Sequence, residues 1–402
     1  MNRPRARDIG IDIGIFNTGS HNAITDVAGV TVGQVTLIEG KGTLVPGKGP
    51  VRTGVTLILP HGGNIFREKV QAGCHVLNGF GKSTGLHQIR ELGTIETPIA
   101  LTNTLNVSRV ADALVEWSCG ASPEIGITTG TVNPVVGDIN DGYLNDIQGR
   151  HVGRDHVFAA IAAARGGPVA EGNSGGGTGC SCLGFKGGIG TSSRVLPQRL
   201  GGWTVGVLAQ TNFGGMLSVN GAPVGRELGI YDFAPPTKVA PPASAPASET
   251  GIANEVGAAS EAGVARDGSC MIVVATDAPL DGRLLSRVAR RCGLGMARTG
   301  FYSSNGSGDF FIAFSTANPV PHAGGLTLSR SVVADDAMSA IFAATVEAVE
   351  EAIINSLTAA ETMTGRDGNT RTAIDIDTLV AILDNYNARG WGRKLPPHGG
   401  LA

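Results

Sequence analysis

The chain has 402 residues, of which 42% are hydrophobic and 16% charged, and its formal net charge at pH 7 is −3. This balance predicts a globular protein with a large core. It argues against nucleic acid or an anionic membrane surface as a partner, because no long basic run is present. No apolar run approaches the ~18 residues of a membrane-spanning helix, so no membrane span is expected.

The first third of the chain predicts several strands and one helix. Asn103 or Thr104 could cap a helix that runs to about Cys119, because apolar residues recur there at helical spacing. Short apolar segments bounded by turn residues predict the strands. These expected strands, the first of which follows a turn, lie at 22–33, 55–60, 97–102 and 125–129.

A polar stretch at 133–146 is dense in carboxylates and amides and contains Asp138. We expect it to be a loop that leaves a strand. A solvated turn and a loop for a hard cation are both open interpretations, although the spacing does not fit the EF-hand pattern. A helix is expected next, at 155–164.

The most glycine-dense run of the chain lies at 171–180. It lacks the Gly-Lys-Ser/Thr of a phosphate-binding P-loop, so a structural loop or one that lines a substrate pocket is favoured. A strand is expected at 202–210, shortly before Asn212. An Asn just beyond a core strand can donate its side-chain N–H to a developing oxyanion, although an ordinary turn residue is the simpler interpretation of the local sequence.

Residues 267–280 pass from Asp-Gly-Ser into a continuous apolar run, which is typical of a strand buried on both faces. The preceding residues, 234–262, are rich in Pro, Ala, Ser, Gly and Glu and predict a flexible linker. Gly268 and Ser269 could simply end that linker. Alternatively, cleavage between them would give Ser269 a free α-amine, which titrates near ~8, beside its hydroxyl. One residue would then contain both nucleophile and base.

The remainder of the chain predicts further helices and one strand. A turn at 305–309, which includes Ser307 and Asp309, leads into the strand. The expected helices lie at 281–295, 335–360 and 377–388, and the expected strand at 310–314.

The six cysteines and eight histidines show neither zinc-site spacing nor the pattern of a disulfide scaffold. Cys180 and Cys182 form the one close pair. We therefore expect free thiols in a reducing cytoplasm, and neither a metal nor an organic cofactor. The basic N-terminus lacks an apolar segment, so no signal peptide is expected.

An ordered set of motifs resembles that of a known family, the L-aminopeptidase D-Ala-esterase/amidase and β-peptidyl aminopeptidase family. Each motif alone is weak, but the set is specific and leaves only the linker and the termini unmatched. The motifs are Asn-Ala-Ile-Thr-Asp-Val-Ala-Gly from Asn22, Val-Gly-Asp-Ile-Asn-Asp-Gly from Val136, Glu-Gly-Asn-Ser-Gly-Gly-Gly-Thr-Gly from Glu171, Phe-Lys-Gly-Gly-Ile-Gly-Thr-Ser-Ser-Arg from Phe185, Gln-Thr-Asn-Phe-Gly from Gln210, Gly268-Ser269 with its apolar strand, Ala-Thr-Asp-Ala-Pro-Leu from Ala275, and Ser307-Gly-Asp309.

This resemblance implies an α+β fold, a four-layer αββα sandwich like that of N-terminal-nucleophile hydrolases but with different strand connectivity. It implies a single domain over 1–402 that cuts itself between Gly268 and Ser269. The α chain (1–268) and β chain (269–402) would stay associated, and the αβ units would form a homo-oligomer. The implied activity is that of an aminopeptidase, amidase or esterase. It would release small L-amino acids, D-Ala or β-amino acids from small peptide, amide or ester substrates.

The resemblance also implies roles for individual residues. Ser269 would be the nucleophile that forms the acyl-enzyme. Asn212 would be the oxyanion donor, and it could also serve self-cleavage, which passes through a similar tetrahedral centre. Ser307 and Asp309 match a Ser-x-acid pair beside the nucleophile, where β-peptidyl members carry Glu. Asp138 falls where the family commonly has a Glu that contacts the substrate's free amine. Both aspartates reach one methylene less than Glu.

Two other functions remain open from the sequence. An acyltransferase of the ornithine acetyltransferase type also uses a self-generated N-terminal nucleophile, and transfer to an amine acceptor, compared with hydrolysis, would identify it. A non-catalytic protein that binds an anionic ligand through the glycine-rich run would remain one band on a denaturing gel.

Overall fold

The computed structural model describes residues 3–234 and 268–395. The linker predicted for 234–262 lies outside the described residues, apart from Ala234 at its start. In the part of the chain that is described, no helix is long and apolar enough to cross a membrane.

Two β-sheets form the frame of the described part. The strands, numbered in chain order, are β1 (Thr31–Glu39), β2 (Val51–Leu59), β3 (Glu68–Gly79), β4 (Thr94–Ile95), β5 (Ile99–Asn103), β6 (Val135–Ile139), β7 (Ser181–Cys182), β8 (Phe185–Lys186), β9 (Gly188–Val195), β10 (Thr204–Asn212), β11 (Ser269–Thr276), β12 (Gly308–Pro321), β13 (Met363–Thr364) and β14 (Thr370–Arg371). One sheet has four strands in the order β1-β2-β5-β6, and the other has six in the order β4-β3-β12-β11-β10-β9. The strands β7 and β8 form a short pair, as do β13 and β14.

Helices follow several of the strands. They are α1 (Leu86–Leu92), α2 (Val107–Ala121), α3 (Arg154–Ala162), α4 (Val224–Glu227), α5 (Gly282–Arg298), α6 (Met338–Thr358), α7 (Ile376–Asn385) and α8 (Trp391–Lys394). Asp281 caps α5 by accepting a hydrogen bond from the Leu284 N–H, and Asp375 caps α7 through the Thr378 N–H. Such caps satisfy N–H groups that have no partner within the helix, which explains where these helices begin.

Each large sheet packs against helices on one face. The six-stranded sheet contacts α5 and α6, where Ile272 of β11 shares an apolar cluster with Leu284 and Ile353. The four-stranded sheet contacts α2 and α3, where Val136 shares a cluster with Leu114. Burial of these apolar side chains is the main stabilising contribution to the arrangement, at about 25 cal/mol per Å² of apolar surface removed from water.

A third apolar cluster joins the two sheets directly. It includes Leu101 of β5 together with Met271 and Val273 of β11, whose side chains alternate with those that face α5 and α6. The strand β11 is therefore buried on both faces, as its continuous apolar sequence predicts. The α+β class expected from the sequence is confirmed.

The contact between β9 and α6 is unusually close. A Cβ atom added at Gly190 would lie 1.8 Å from the Ala352 carbonyl oxygen, so only glycine allows the strand to approach the helix. Beside it, the fully buried Arg194 forms ion pairs with Glu351 at 2.7 Å and Glu347 at 3.1 Å. Arg7 also pairs with Glu351, at 2.8 Å, which ties the N-terminal segment to α6.

The prediction of a strand at 125–129 is wrong. Only an isolated bridge joins Ile125 to Thr129, and the side chain of Ile127 is 81% exposed. The strand of this region is β6, which lies within the stretch predicted to be a loop. Its five residues are all buried and pair in parallel with β5, although Asp138 gives the segment a polar character.

Candidate active site

Three neighbouring strands in the interior of the six-stranded sheet bring polar residues together at their ends. Ser269 is the first residue of β11, which lies between β10 and β12. In the antiparallel pairing with β10 its partner is Asn212, and in the parallel pairing with β12 its partner is Gly308. The strand order therefore places the candidate nucleophile, the candidate oxyanion donor and the Ser-x-Asp segment side by side.

The Ser269 hydroxyl oxygen receives two N–H donors. The backbone N–H of Asn140 donates to Oγ at 3.1 Å, and Nδ2 of Asn212 donates to it at 3.3 Å. Nδ2 of Asn212 also contacts the Asn140 carbonyl oxygen at 3.0 Å, and Oδ1 accepts from the Ser181 N–H at 2.9 Å. Because a backbone N–H can only donate, the bond from Ser181 fixes which end of the Asn212 amide faces Ser269.

Asn140 is a site residue that the sequence reasoning missed. It follows β6 directly, and it contributes a backbone N–H rather than its side chain. Every residue except proline carries that group, so no residue type marks it in a sequence. The only available signal was position, since Asn140 lies two residues beyond Asp138 at the end of a buried strand.

Ser307 and Asp309 form a buried pair beside this cluster. The Ser307 hydroxyl donates to Oδ1 of Asp309 at 2.7 Å, and the Ser303 hydroxyl donates to Oδ2 at 3.0 Å. Burial raises the pKa of Asp309 to about 6, and the two hydroxyl donors oppose that shift because they favour the charged form. Ser303 was not singled out from the sequence, and its backbone has a φ of 59°, in the left-handed region.

The position of the Ser307 and Asp309 side chains relative to Ser269 follows from the strand register. Asp309 is the register partner of Cys270, so strand alternation places it on the other face of the sheet from the Ser269 side chain. Among the described residues, no hydrogen bond joins Ser269 to either Ser307 or Asp309. The pair lies at the same strand end but is separate from the group around the hydroxyl.

Asp138 is the last but one residue of β6 and is buried. Its Oδ1 atom accepts from the Lys82 N–H at 3.0 Å and from the Ser83 hydroxyl at 2.8 Å. The Ser83 oxygen also lies 3.6 Å from the sulfur of Met271, two residues along the strand from Ser269. Ser83 therefore links Asp138 to β11, and the Oδ2 atom of Asp138 makes no hydrogen bond among the described residues.

The glycine-rich run packs between the two sheets as a structural loop. A Cβ added at Gly175 would lie 2.3 Å from Oγ1 of Thr56, and one at Gly176 would lie 2.7 Å from the Leu101 carbonyl oxygen. The loop leads into Ser181, whose N–H orients Asn212. Within the described residues, no group of three or more His, Cys, Asp or Glu is arranged to hold a metal ion.

The bond between Gly268 and Ser269 is tightly enclosed. A Cβ added at Gly268 would lie 2.5 Å from the Phe213 Cα and 2.8 Å from the Asn212 carbonyl oxygen. The Gly268 carbonyl oxygen accepts from the Gly308 N–H at 3.1 Å. Glycine before the serine is therefore a steric requirement of this close approach.

Comparison with known proteins shows the family to which this chain belongs. The sequence pattern of peptidase family S58 matches residues 22–371. The β-peptidyl aminopeptidase BapA of Sphingosinicella microcystinivorans is 46% identical over 387 residues, which cover 95% of this chain and 92% of that protein. The PH0078 protein of Pyrococcus horikoshii OT3 is 48% identical, with a TM-score of 0.84 over 96% of this chain and 99% of that one.

A second solved structure shows the fold and type of enzyme. The L-aminopeptidase D-Ala-esterase/amidase of Ochrobactrum anthropi is 38% identical, with a TM-score of 0.82 over 96% of this chain and 100% of that one. That enzyme is described as a prototype of the serine aminopeptidases and as a new variant of the N-terminal-nucleophile hydrolase fold. The resemblance inferred from the motifs is confirmed: this chain belongs to peptidase family S58 and is an aminopeptidase of the N-terminal-nucleophile type.

Proposed function

We propose that Ser269 is the nucleophile of this aminopeptidase and that the chain releases it by cutting its own Gly268–Ser269 bond. The observation that carries the proposal is the convergence of the Asn140 N–H and Asn212 Nδ2 on the Ser269 hydroxyl oxygen. Donors at that point lie where the oxygen of a substrate carbonyl would develop charge once the hydroxyl attacks it.

The proposed cycle uses both groups of the new N-terminus. The α-amine takes the proton of the Ser269 hydroxyl as Oγ attacks the substrate carbonyl carbon. The proton then passes to the leaving amine or alcohol, which leaves an acyl ester on Oγ. Water attacks that ester, releases the N-terminal residue of the substrate as its acid, and restores the hydroxyl.

Ser307 and Asp309 are proposed to bind the α-amine after cleavage. They flank Gly308, the register partner of Ser269, at the strand end where the cut would separate the chain. A carboxylate there would stabilise the ammonium that forms when the amine takes the hydroxyl proton. Asp309 would thus stabilise the ammonium in the way that the buried aspartate of a Ser-His-Asp triad stabilises the imidazolium.

The proposed substrates carry a free N-terminal amine that pairs with Asp138. The relatives are a β-peptidyl aminopeptidase and an L-aminopeptidase D-Ala-esterase/amidase. We accordingly propose small L-amino acids, D-Ala and β-amino acids as the residues released from short peptides, amides or esters. In this proposal the ammonium reaches the Oδ2 side of Asp138, because Oδ1 already accepts two hydrogen bonds.

Several structural features support a stable assembly of the two cut chains. The strand β11 of the β chain pairs along its length with β10 of the α chain, and the buried Glu351 pairs with both Arg7 and Arg194 across the proposed chain boundary. The apolar clusters support a single domain layered helix, sheet, sheet, helix. We propose that these αβ units form a homo-oligomer. We also propose that the protein is located in a reducing cytoplasm, because its six cysteines are all unpaired.

The acyl-enzyme provides the direct test of this function. Processed protein would be mixed with an L-alanyl or β-alanyl p-nitrophenyl ester, quenched with acid within the first turnover, and digested for mass spectrometry. We expect the acyl group on Ser269, in the peptide that begins the β chain. An adduct on another residue, with turnover intact, would refute the assignment of the nucleophile.

Asp309 gives a testable pH dependence. Protonation of the α-amine, which titrates near ~8, already lowers kcat/KM as the pH falls. The pKa of Asp309, about 6, predicts a steeper fall below that value, because its carboxylate also becomes protonated. Replacing Ser303 with Gly removes one hydroxyl that favours the charged form and also suits the positive φ. We therefore expect the acidic limb of Ser303→Gly to move to higher pH.

Comparing the pH profiles of the wild type and Ser303→Gly distinguishes the titration of Asp309 from that of other groups nearby. Burial raises the pKa of Asp141 to about 6 and that of Glu171 to about 7, but in the described part of the chain neither makes a hydrogen bond to Ser303. Their contributions should be the same in wild type and in Ser303→Gly. An acidic limb that does not move would show that Asp309 does not control it.

A further inference from the structure

The scissile carbonyl and the hydroxyl that attacks it lie against different donors in the uncut chain. The Gly268 carbonyl oxygen accepts from the Gly308 N–H at 3.1 Å. The Ser269 hydroxyl oxygen instead receives the Asn140 N–H and Asn212 Nδ2. The two sets share no donor.

The strand order explains this separation. The Gly268 carbonyl is directed towards β12, where Gly308 begins the parallel ladder with β11. Asn212 belongs to β10, on the opposite side of β11. Ladder hydrogen bonds run within the sheet from one strand to its neighbour, so the carbonyl oxygen cannot turn towards Asn212 without leaving the β12 side.

Close packing holds the scissile carbonyl in that direction. Gly268 lies against Phe213 and the Asn212 backbone too tightly for a Cβ, and a Cβ at Gly308 would lie 2.6 Å from the Phe80 carbonyl oxygen. The side chain of Asn78 secures the turn before Gly308, because Nδ2 contacts the carbonyl oxygens of residues 304, 305 and 307 at 3.1, 3.0 and 2.5 Å. The Gly308 N–H is thus fixed before any chemistry takes place, as an oxyanion donor must be.

We propose that the two reactions of Ser269 use different oxyanion donors: the Gly308 N–H serves self-cleavage, and the Asn140 N–H with Asn212 Nδ2 serves peptide hydrolysis. This inference rests on the proposed function, because it takes Ser269 as the nucleophile of both reactions. It replaces the expectation that Asn212 serves both tetrahedral centres.

In self-cleavage the Ser269 hydroxyl oxygen attacks the Gly268 carbonyl carbon, and negative charge develops on the oxygen that accepts from Gly308. The bond between the Gly268 carbonyl carbon and the Ser269 nitrogen then breaks. The hydroxyl proton ends on that nitrogen, which becomes the α-amine, and an ester joins Gly268 to Oγ. Water hydrolyses the ester, which leaves a carboxylate on Gly268 and restores the hydroxyl.

In peptide hydrolysis the carbonyl belongs to the substrate and has no place in the sheet. Its carbon bonds to the Ser269 Oγ, so its oxygen comes within reach of the donors that already converge on Oγ. Those donors are the Asn140 N–H and Asn212 Nδ2. Loss of one such donor typically lowers kcat by ~10²–10³-fold.

Two variants test the separation, with both reactions measured for each. Cell-free synthesis with quenched time points gives the rate at which full-length chain becomes α and β chains, and an L-alanyl p-nitroanilide assay of matured protein gives kcat. Asn212→Ala should mature within about threefold of wild type and lose kcat by ~10²–10³-fold. Asn78→Ala, which loosens the turn before Gly308, should mature at least ~10-fold more slowly.

The result that overturns the proposal is a parallel loss of both reactions in Asn212→Ala, or a wild-type maturation rate in Asn78→Ala. Soluble protein with a wild-type melting temperature is required of each variant, so that misfolding is not counted as slow maturation. Wild type provides the separate check on the proposed function. If the wild type is not cut at Gly268–Ser269, the proposed function fails. If the wild type is cut but Asn212→Ala loses both reactions in parallel, only the separation of donors is refuted.

Discussion

Replacing Ser269 with Ala should leave one uncut chain without measurable aminopeptidase activity. The substitution removes the oxygen that would attack the Gly268 carbonyl and that would later hold the acyl group, so both reactions lose their nucleophile. The fold should survive, because the buried serine is replaced by a smaller side chain on a strand whose pairing is made by backbone groups. Intact mass and hydrolysis of L-alanyl p-nitroanilide are the measurements.

Ser269→Cys is the matched control, since it keeps a nucleophilic atom at the same position. We expect it to be cut, at a changed rate, which would show that the uncut state of Ser269→Ala reflects missing chemistry rather than a misplaced strand. A Ser269→Ala protein that is nevertheless cut at this bond, or that retains turnover, would rule out Ser269 as the nucleophile.

An N-acetyl cap on a short peptide amide should lower kcat/KM by ~10²-fold or more. Uncapped, the substrate ammonium would pair with the buried carboxylate of Asp138. The cap removes that charge and leaves the carboxylate without its partner, and breaking a buried ion pair costs on the order of 3 kcal/mol. The net charge of −3 is too small for a general attraction of cations, so the preference must come from the local carboxylate.

Asp138→Asn tests the same contact from the protein side. It should raise KM more than it lowers kcat, because the ammonium is held in the ground state and the transition state alike. It should also reduce the difference between free and capped substrates. Equal kcat/KM for the two substrates in the wild type would contradict a requirement for a free amine and would indicate a general amidase.

Long segments with a clear hydrophobic pattern could be predicted from the sequence. The strand β11 is continuous and apolar, and α5 has an amphipathic pattern with a capping aspartate, so local sequence and tertiary packing agree. The strand β9 was missed because it is polar. Its Thr191, Ser192 and Arg194 are buried only because α6 and neighbouring strands supply partners such as Glu351 and the Ala348 carbonyl.

The site could be predicted only in part, for a related reason. Ser269, Asn212 and Asp309 carry distinctive side chains, so the ordered motifs could mark them as candidates. Asn140 donates to Ser269 only through its backbone N–H, and its approach to Ser269 depends on how two sheets pack, which no local pattern contains. The Gly308 N–H likewise gains significance only from the parallel pairing of β11 with β12.

Intact-mass measurement of freshly purified wild-type protein, combined with N-terminal sequencing, shows whether the chain cuts its own Gly268–Ser269 bond. We expect two chains that elute together before denaturation, one ending at Gly268 and the other beginning at Ser269 with a free α-amine. We also expect aminopeptidase activity to rise in step with the cut fraction. A single chain of 402 residues that is fully active would contradict these expectations.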